Sequence, residues 1–136
     1  MSVEREETRT KAGRYAYEGL ERVMHEKARL GILTSLASRP EGLLFSDLKE
    51  LCSLTDGNLS RHLQTLQEAG LVEVWKGYHQ RRPQTLCRLS ADGRSRFLAY
   101  LAQLEKVIQD ADAVRSNLTE GDMSRTDALS EGWTSA

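Results

Sequence analysis

Between Leu54 and Gly70 the chain reads LTDGNLSRHLQTLQEAG, and the polar residues of that stretch are the ones best suited to a chemical task. Leu59, Leu63 and Leu66 are spaced four and three apart, which gathers them on one face of a helix. The other face carries Asp56, Asn58, Ser60, Arg61, His62 and Gln64. Such side chains donate and accept hydrogen bonds, and long aliphatic groups are few among them. In this pattern they suit the edges of base pairs, which a helix lying in the major groove of a duplex can reach. Asn58 has the shape for a bidentate bond to adenine, Arg61 for one to guanine, and Gln64 for a second adenine. Thr55 and Ser60 stand near the helix start, where phosphate contacts and free backbone amides are expected.

A second set follows in KGYHQRRPQT, where Arg81 and Arg82 sit at the centre of a basic loop with Lys76, His79 and Gln84 around them. These residues suit a clamp on the DNA backbone or minor groove. The plain alternative is a hairpin whose arginines keep an edge strand soluble. The polar-faced helix beside it favours the clamp.

Other chemistries find less support. Cys52, His25, His62 and Cys87 are the candidate metal ligands, but no pair among them has ligand spacing, so neither metal nor cofactor is expected. Cys87 alternates with Thr85 and Leu89, as a small buried apolar residue on a strand would. A glycine-rich phosphate loop, an HExxH pair and a GxSxG elbow are all missing, so neither a catalytic residue nor an enzyme is expected.

The surrounding elements must hold these groups. The apolar spacing of Tyr17, Leu20, Val23 and Met24 predicts a helix from about Gly13 to Met24. A second is expected over about Glu26 to Ser38, ended by Arg39-Pro40-Glu41-Gly42. Ser46 is the expected cap of a short helix from Asp47 to about Cys52, with Ser53 and Leu54 as the turn. Thr55 then caps the polar-faced helix and Gly70 stops it. Leu71 to Lys76 and Gln84 to Leu89 read as paired strands around a loop from Gly77 to Pro83. Ser90 caps a last helix to about Asp112, in which Phe97, Leu101, Leu104, Ile108 and Ala111 recur in a heptad-like seam of the kind that faces another helix.

Of the 136 residues, 1–12 are expected to be a flexible N-terminus, 13–112 a single domain, and 113–136 a flexible acidic tail. The formal net charge of -1 hides an uneven distribution. Residues 25–106 carry twelve basic against nine acidic groups, whereas 107–136 carry two against six. The positive excess lies where phosphate contact is expected. No apolar run spans a membrane and the N-terminus has no signal-peptide pattern, so a soluble cytoplasmic protein with reduced thiols is expected.

From about Leu20 to Ile108 the chain resembles the winged helix-turn-helix regulators grouped near the MarR and ArsR transcription factors. It is most similar to the small stand-alone winged-helix DNA-binding domains. The resemblance rests on His25 with Arg29-Leu-Gly-Ile-Leu, on Leu54-Thr-Asp-Gly-Asn-Leu-Ser, and on Leu66-Gln-Glu-Ala-Gly-Leu-Val. It continues through Lys76-Gly-Tyr, Arg-Arg-Pro-Gln-Thr, Arg-Leu-Ser and Gly93. Gln80 stands where such wings often have glycine. Glu50-Leu51-Cys52 resembles the cysteine-bearing segment of the ArsR metal sensors, which needs a second cysteine where Leu54 stands.

The fold class implied is mainly α with a small β-hairpin wing. Tyr17, Leu20 and Met24 of the N-terminal helix and Phe97, Leu101, Leu104 and Ile108 of the C-terminal helix would form the dimer contact. The function implied is that of a bacterial homodimer binding duplex DNA at a palindromic operator, most simply a repressor. The competing reading is a winged-helix module for protein–protein contact, with the polar face idle. The sequence does not identify a small-molecule effector.

Overall fold

The leucine stripe of residues 59, 63 and 66 is buried, as its spacing requires, and the helix carrying it lies among elements close to those expected. The computed structural model describes residues 13–120 and Gly132, with residues 119 and 120 described by their backbone. Four helices and three strands follow in order: α1 (Lys27–Ala37), β1 (Leu43–Leu44), α2 (Phe45–Cys52), α3 (Asp56–Glu68), β2 (Val72–His79), β3 (Arg82–Leu89) and α4 (Ala91–Glu120). Two compact units divide the chain, residues 1–103 and 104–136. The first holds the packed core: Ile32, Leu33 and Leu36 of α1, Leu48 of α2, the α3 stripe, Leu71, Cys87, Phe97 and Tyr100. In the second, Ile108, Val114 and Leu118 of α4 are exposed.

The segment before α1 is a chain of turns rather than the expected helix. Its bonds run from Ala16 N–H to Gly13 O, Leu20 N–H to Tyr17 O and Met24 N–H to Glu21 O, each closing a single tight turn. Gly13 and Tyr17 both have positive φ, which breaks any continuous right-handed helix. The turns are instead fastened to α4. Arg96 pairs with Glu21 at 2.7 Å, Gly19 N–H donates to Gln103 Oε1 at 3.3 Å, and His25 Nδ1 lies 2.7 Å from the Tyr100 hydroxyl. Met24 and Phe97, expected at a partner contact, are therefore buried within their own chain.

Helix α1 begins at Glu26, whose carboxylate accepts the N–H groups of Ala28 and Arg29 at 3.0 and 2.9 Å. Helix α2 starts at Phe45, directly from β1, so Ser46 sits inside the first turn and does not cap it. Ser53, at φ 52, closes α2, with Leu54 N–H bonded to Lys49 O at 3.0 Å. Thr55 Oγ1 then accepts Asn58 N–H at 3.2 Å, the expected cap of α3. Gly70, at φ 76, ends that helix, and Leu71 N–H returns to Leu66 O at 2.9 Å.

The sheet is antiparallel in the order β1-β3-β2, so the expected strand pair gains a third, two-residue member. The β2–β3 ladder runs from Val72↔Leu89 to His79↔Arg82, and the expected loop from Gly77 to Pro83 shrinks to Gln80 and Arg81. Both have positive φ, 51 and 67, as a two-residue hairpin turn of type I′ requires. Pro83 is tolerated because, one step from this tight turn, its missing N–H is on the side away from β2. There β3 has no neighbour, since β1 pairs only with Leu86 and Cys87.

Helix α4 begins as expected, with Ser90 Oγ accepting Gly93 N–H at 2.8 Å, but it continues to Glu120, beyond Asp112. Residues 113–120, expected as the start of a flexible tail, are helical, while the N-terminus 1–12 and the rest of that tail, Gly132 excepted, lie outside the described residues. The first turn touches backbone: a Cβ added at Gly93 would lie 1.9 Å from Leu71 O. Among the described residues, no helix is long and apolar enough to cross a membrane.

Candidate nucleic-acid interface

Burial of one face of α3 leaves Asp56, Gly57, Asn58, Ser60, Arg61 and Gln64 exposed on the other. Three contacts order this surface. Lys49 of α2 meets Asp56 at 3.0 Å, neutralising a carboxylate that would otherwise repel phosphate. Arg61 Nη2 donates to Asn58 Oδ1 at 2.9 Å. Gln64 Nε2 donates to Glu68 Oε1 at 3.2 Å.

His62 departs from this face. Its side chain is 16% exposed, and its Nδ1 lies 3.7 Å from Glu26 Oε2 at the start of α1. Burial pushes the Glu26 carboxyl up, yet the amides of Arg29 and Ala28, aided by the charges of His62 and Arg29, hold it below its ordinary value. His62 thus joins α3 to the cap of α1, a position better suited to supporting the helix than to touching a base.

The far end of α3 is tied to α4. Ser90 Oγ donates to Gly70 O at 2.7 Å, and Arg96 Nη1 donates to Ala69 O at 2.7 Å. Because Arg96 also holds Glu21, one guanidinium links the turns before α1, the end of α3 and the body of α4. The pairing with Glu21 raises the Arg96 pKa further above its already high value. Nothing in the spacing of these residues marked this role.

The wing residues divide between two faces, because directly paired residues on adjacent strands share a side of the sheet. Lys76 pairs with Thr85 and faces α3, and Ser60, Gln64, Gln67, Lys76 and Thr85 line a common groove of about 290 Å³. Tyr78, two residues on, shares the Lys76 face and is highly exposed. Tyr78 and Gln67 are not among the contacts expected from the sequence, although alternation with Lys76 and the three-residue step from Gln64 mark them. His79 and Arg82 face the other way with Gln84, and Arg81 occupies the tip. Lys76, Arg81 and Arg82 are exposed and form no ion pair among the described residues.

The remaining expected contacts are dispersed. Thr55 is committed to capping α3, although it is exposed. Tyr17 and Leu20 are half-buried in the turns before α1. On α4, Leu101 is 40% exposed and Ile108 54%, while Leu104 is half-buried. Cys87 is enclosed in the core, and burial raises its thiol to about 11, which keeps it protonated and unreactive. Among the described residues, no three of the His, Cys, Asp and Glu side chains come together to hold a metal.

The sequence profile of the winged helix DNA-binding domain family matches residues 28–108, more than half of the chain. A transcriptional regulator homologue from Pyrococcus horikoshii has a similar solved structure, with TM-score 0.67 and 29% identity over 74% of this chain and 99% of that one. The MepR–DNA complex of S. aureus shares the fold, with TM-score 0.60 and 17% identity over 88% of this chain and 95% of that one. The uncharacterized protein MJ0432 of Methanocaldococcus jannaschii is 40% identical over 60 residues, which are 44% of this chain. That match spans 65% of the length of MJ0432, just under two thirds.

Proposed function

Since the chain belongs to the winged helix DNA-binding domain family, we infer that it is a sequence-specific regulator of transcription and most simply a repressor. It would bind a palindromic operator as a homodimer in the cytoplasm. The observation that carries this reading is the exposed α3 face beside a wing whose Lys76, Arg81 and Arg82 are exposed and pair with no acid among the described residues. Asn58, Ser60, Arg61 and Gln64 would meet the major groove, with Thr55 and Asp56 at its edge and His62 holding the helix from behind. Lys76, His79, Arg81, Arg82 and Gln84 would hold the flanking backbone. The solved MepR–DNA complex supports DNA as the partner for this fold.

Titration of the full chain against duplexes from its own upstream DNA tests the reading. Arg61→Ala should cost about 1–3 kcal/mol of specific affinity. An unchanged footprint and affinity would count against α3 as the reading element, whereas a wild type that binds none of the duplexes would favour the protein–protein module.

The dimer is supported by the apolar positions of α4 that lie exposed or half-covered at Leu101, Leu104 and Ile108. Each large side chain buried there would contribute about 1.5–3 kcal/mol. Two recognition helices would then meet successive major grooves about 34 Å apart. Sedimentation at micromolar concentration should give a dimer for the wild type and monomers for Leu104→Glu, which places unpaired charge in the seam. A monomeric wild type with full operator affinity would exclude this assembly.

A further inference from the structure

The Arg61–Asn58 contact fixes more than a distance. The two ends of an asparagine amide differ in chemistry: the oxygen accepts and the nitrogen donates. A guanidinium only donates, so the atom of Asn58 that faces Arg61 Nη2 at 2.9 Å must be the oxygen. The NH2 group of Asn58 is therefore the end left to donate elsewhere. A bidentate bond to adenine needs both ends of the amide, the oxygen to accept from N6 and the nitrogen to donate to N7. An amino donor approaching the remaining lone pair of Oδ1 would do so beside the positive guanidinium. The spare N–H groups of Arg61 add further donors, and the pair stands in the first half of α3, the part of such a helix that meets base edges.

We propose that Asn58 and Arg61 act as one donor-only unit whose target is the acceptor edge of a guanine, O6 and N7, and that Asn58 does not read adenine. This rests on the assignment of α3 as the major-groove helix. Gln64 has the opposite polarity by the same logic. Glu68 accepts one of its two N–H groups, and a base acceptor approaching the other would do so beside the Glu68 carboxylate, so Gln64 Oε1 is the end suited to accept from an amino-bearing base, cytosine or adenine, further along the groove.

Selection of bound duplexes from a random pool by the full chain tests this. Each half-site should carry guanine at the position whose preference changes in Arg61→Ala. In that variant the amide of Asn58 is released, and the preference there should move from guanine towards adenine. Asn58→Ala should keep guanine, because Arg61 remains. Replacing that guanine with 7-deazaguanine, which lacks N7, should weaken wild-type binding about tenfold. At the position that loses its preference in Gln64→Ala, the wild type should select cytosine or adenine.

Adenine selected by the wild type at the Arg61-dependent position and lost in Asn58→Ala would overturn the proposal while leaving DNA recognition intact. A preference untouched by Arg61→Ala would do the same. A pool with no enriched sequence would overturn the major-groove assignment and this proposal with it.

Discussion

Alanine at Gly93 is expected to destabilise the fold by about 3 kcal/mol or more, at the upper end of what overpacking costs. The added Cβ would lie 1.9 Å from Leu71 O, 2.7 Å from Leu71 C and 3.0 Å from Leu71 Cα, so backbone rather than a flexible side-chain tip must give way. That carbonyl cannot retreat cheaply, since it also accepts Ser90 N–H at 3.0 Å. Relief would require α4 and the start of β2 to part, exposing Leu71, Val72 and Phe97 together. Urea unfolding of the full chain measures the effect. Gly57→Ala is the control, because a Cβ there meets nothing within 4 Å and helix propensity alone predicts a gain of up to about 1 kcal/mol. Equal stabilities for the two variants would show that the close approach at Gly93 is absent in solution.

Removing both wing arginines, as Arg81→Ser with Arg82→Ser, is expected to weaken binding to every duplex alike. The log–log dependence of affinity on salt should flatten by about one to two units, because each phosphate that is no longer neutralised takes roughly 0.9 off the slope. The two side chains are exposed and paired to no acid among the described residues, so no described contact depends on their charge. Fluorescence anisotropy over a range of salt concentrations provides the slope. A change in base preference with an unchanged slope would mean that the wing reads sequence instead of gripping phosphate.

How legible the molecule was depended on the range over which each signal acts. Thr55, the leucines at 59, 63 and 66, and Gly70 define α3 through contacts a few residues apart, and periodicity captures those. Strand β1 has two residues and exists only through its pairing with Leu86 and Cys87, so no local pattern marks it. The turns before α1 have apolar residues at helical spacing, but their conformation is decided by Arg96, Tyr100 and Gln103, more than seventy residues away. Helix α4 outruns its expected end because Ala113 to Glu120 is polar but contains no glycine or proline to stop it. Within the interface, residue types indicated where hydrogen bonds are made. The polarity at Asn58 and Gln64, and the turning of His62 towards Glu26, follow from neighbours that only the fold supplies.

The turn at Gln80 and Arg81 has a consequence for how this surface can change. Two ordinary L-residues held at left-handed φ cost about 1–2 kcal/mol each, and asparagine followed by glycine would occupy the same geometry with less strain. A search for mutants selected on heat resistance alone should therefore converge on this dipeptide and discard the cation at 81. A search selected on DNA retention should keep arginine there and accommodate change at 80 first. The two selections pull one residue in opposite directions, and the wing tip is where a trade between durability and grip would be visible.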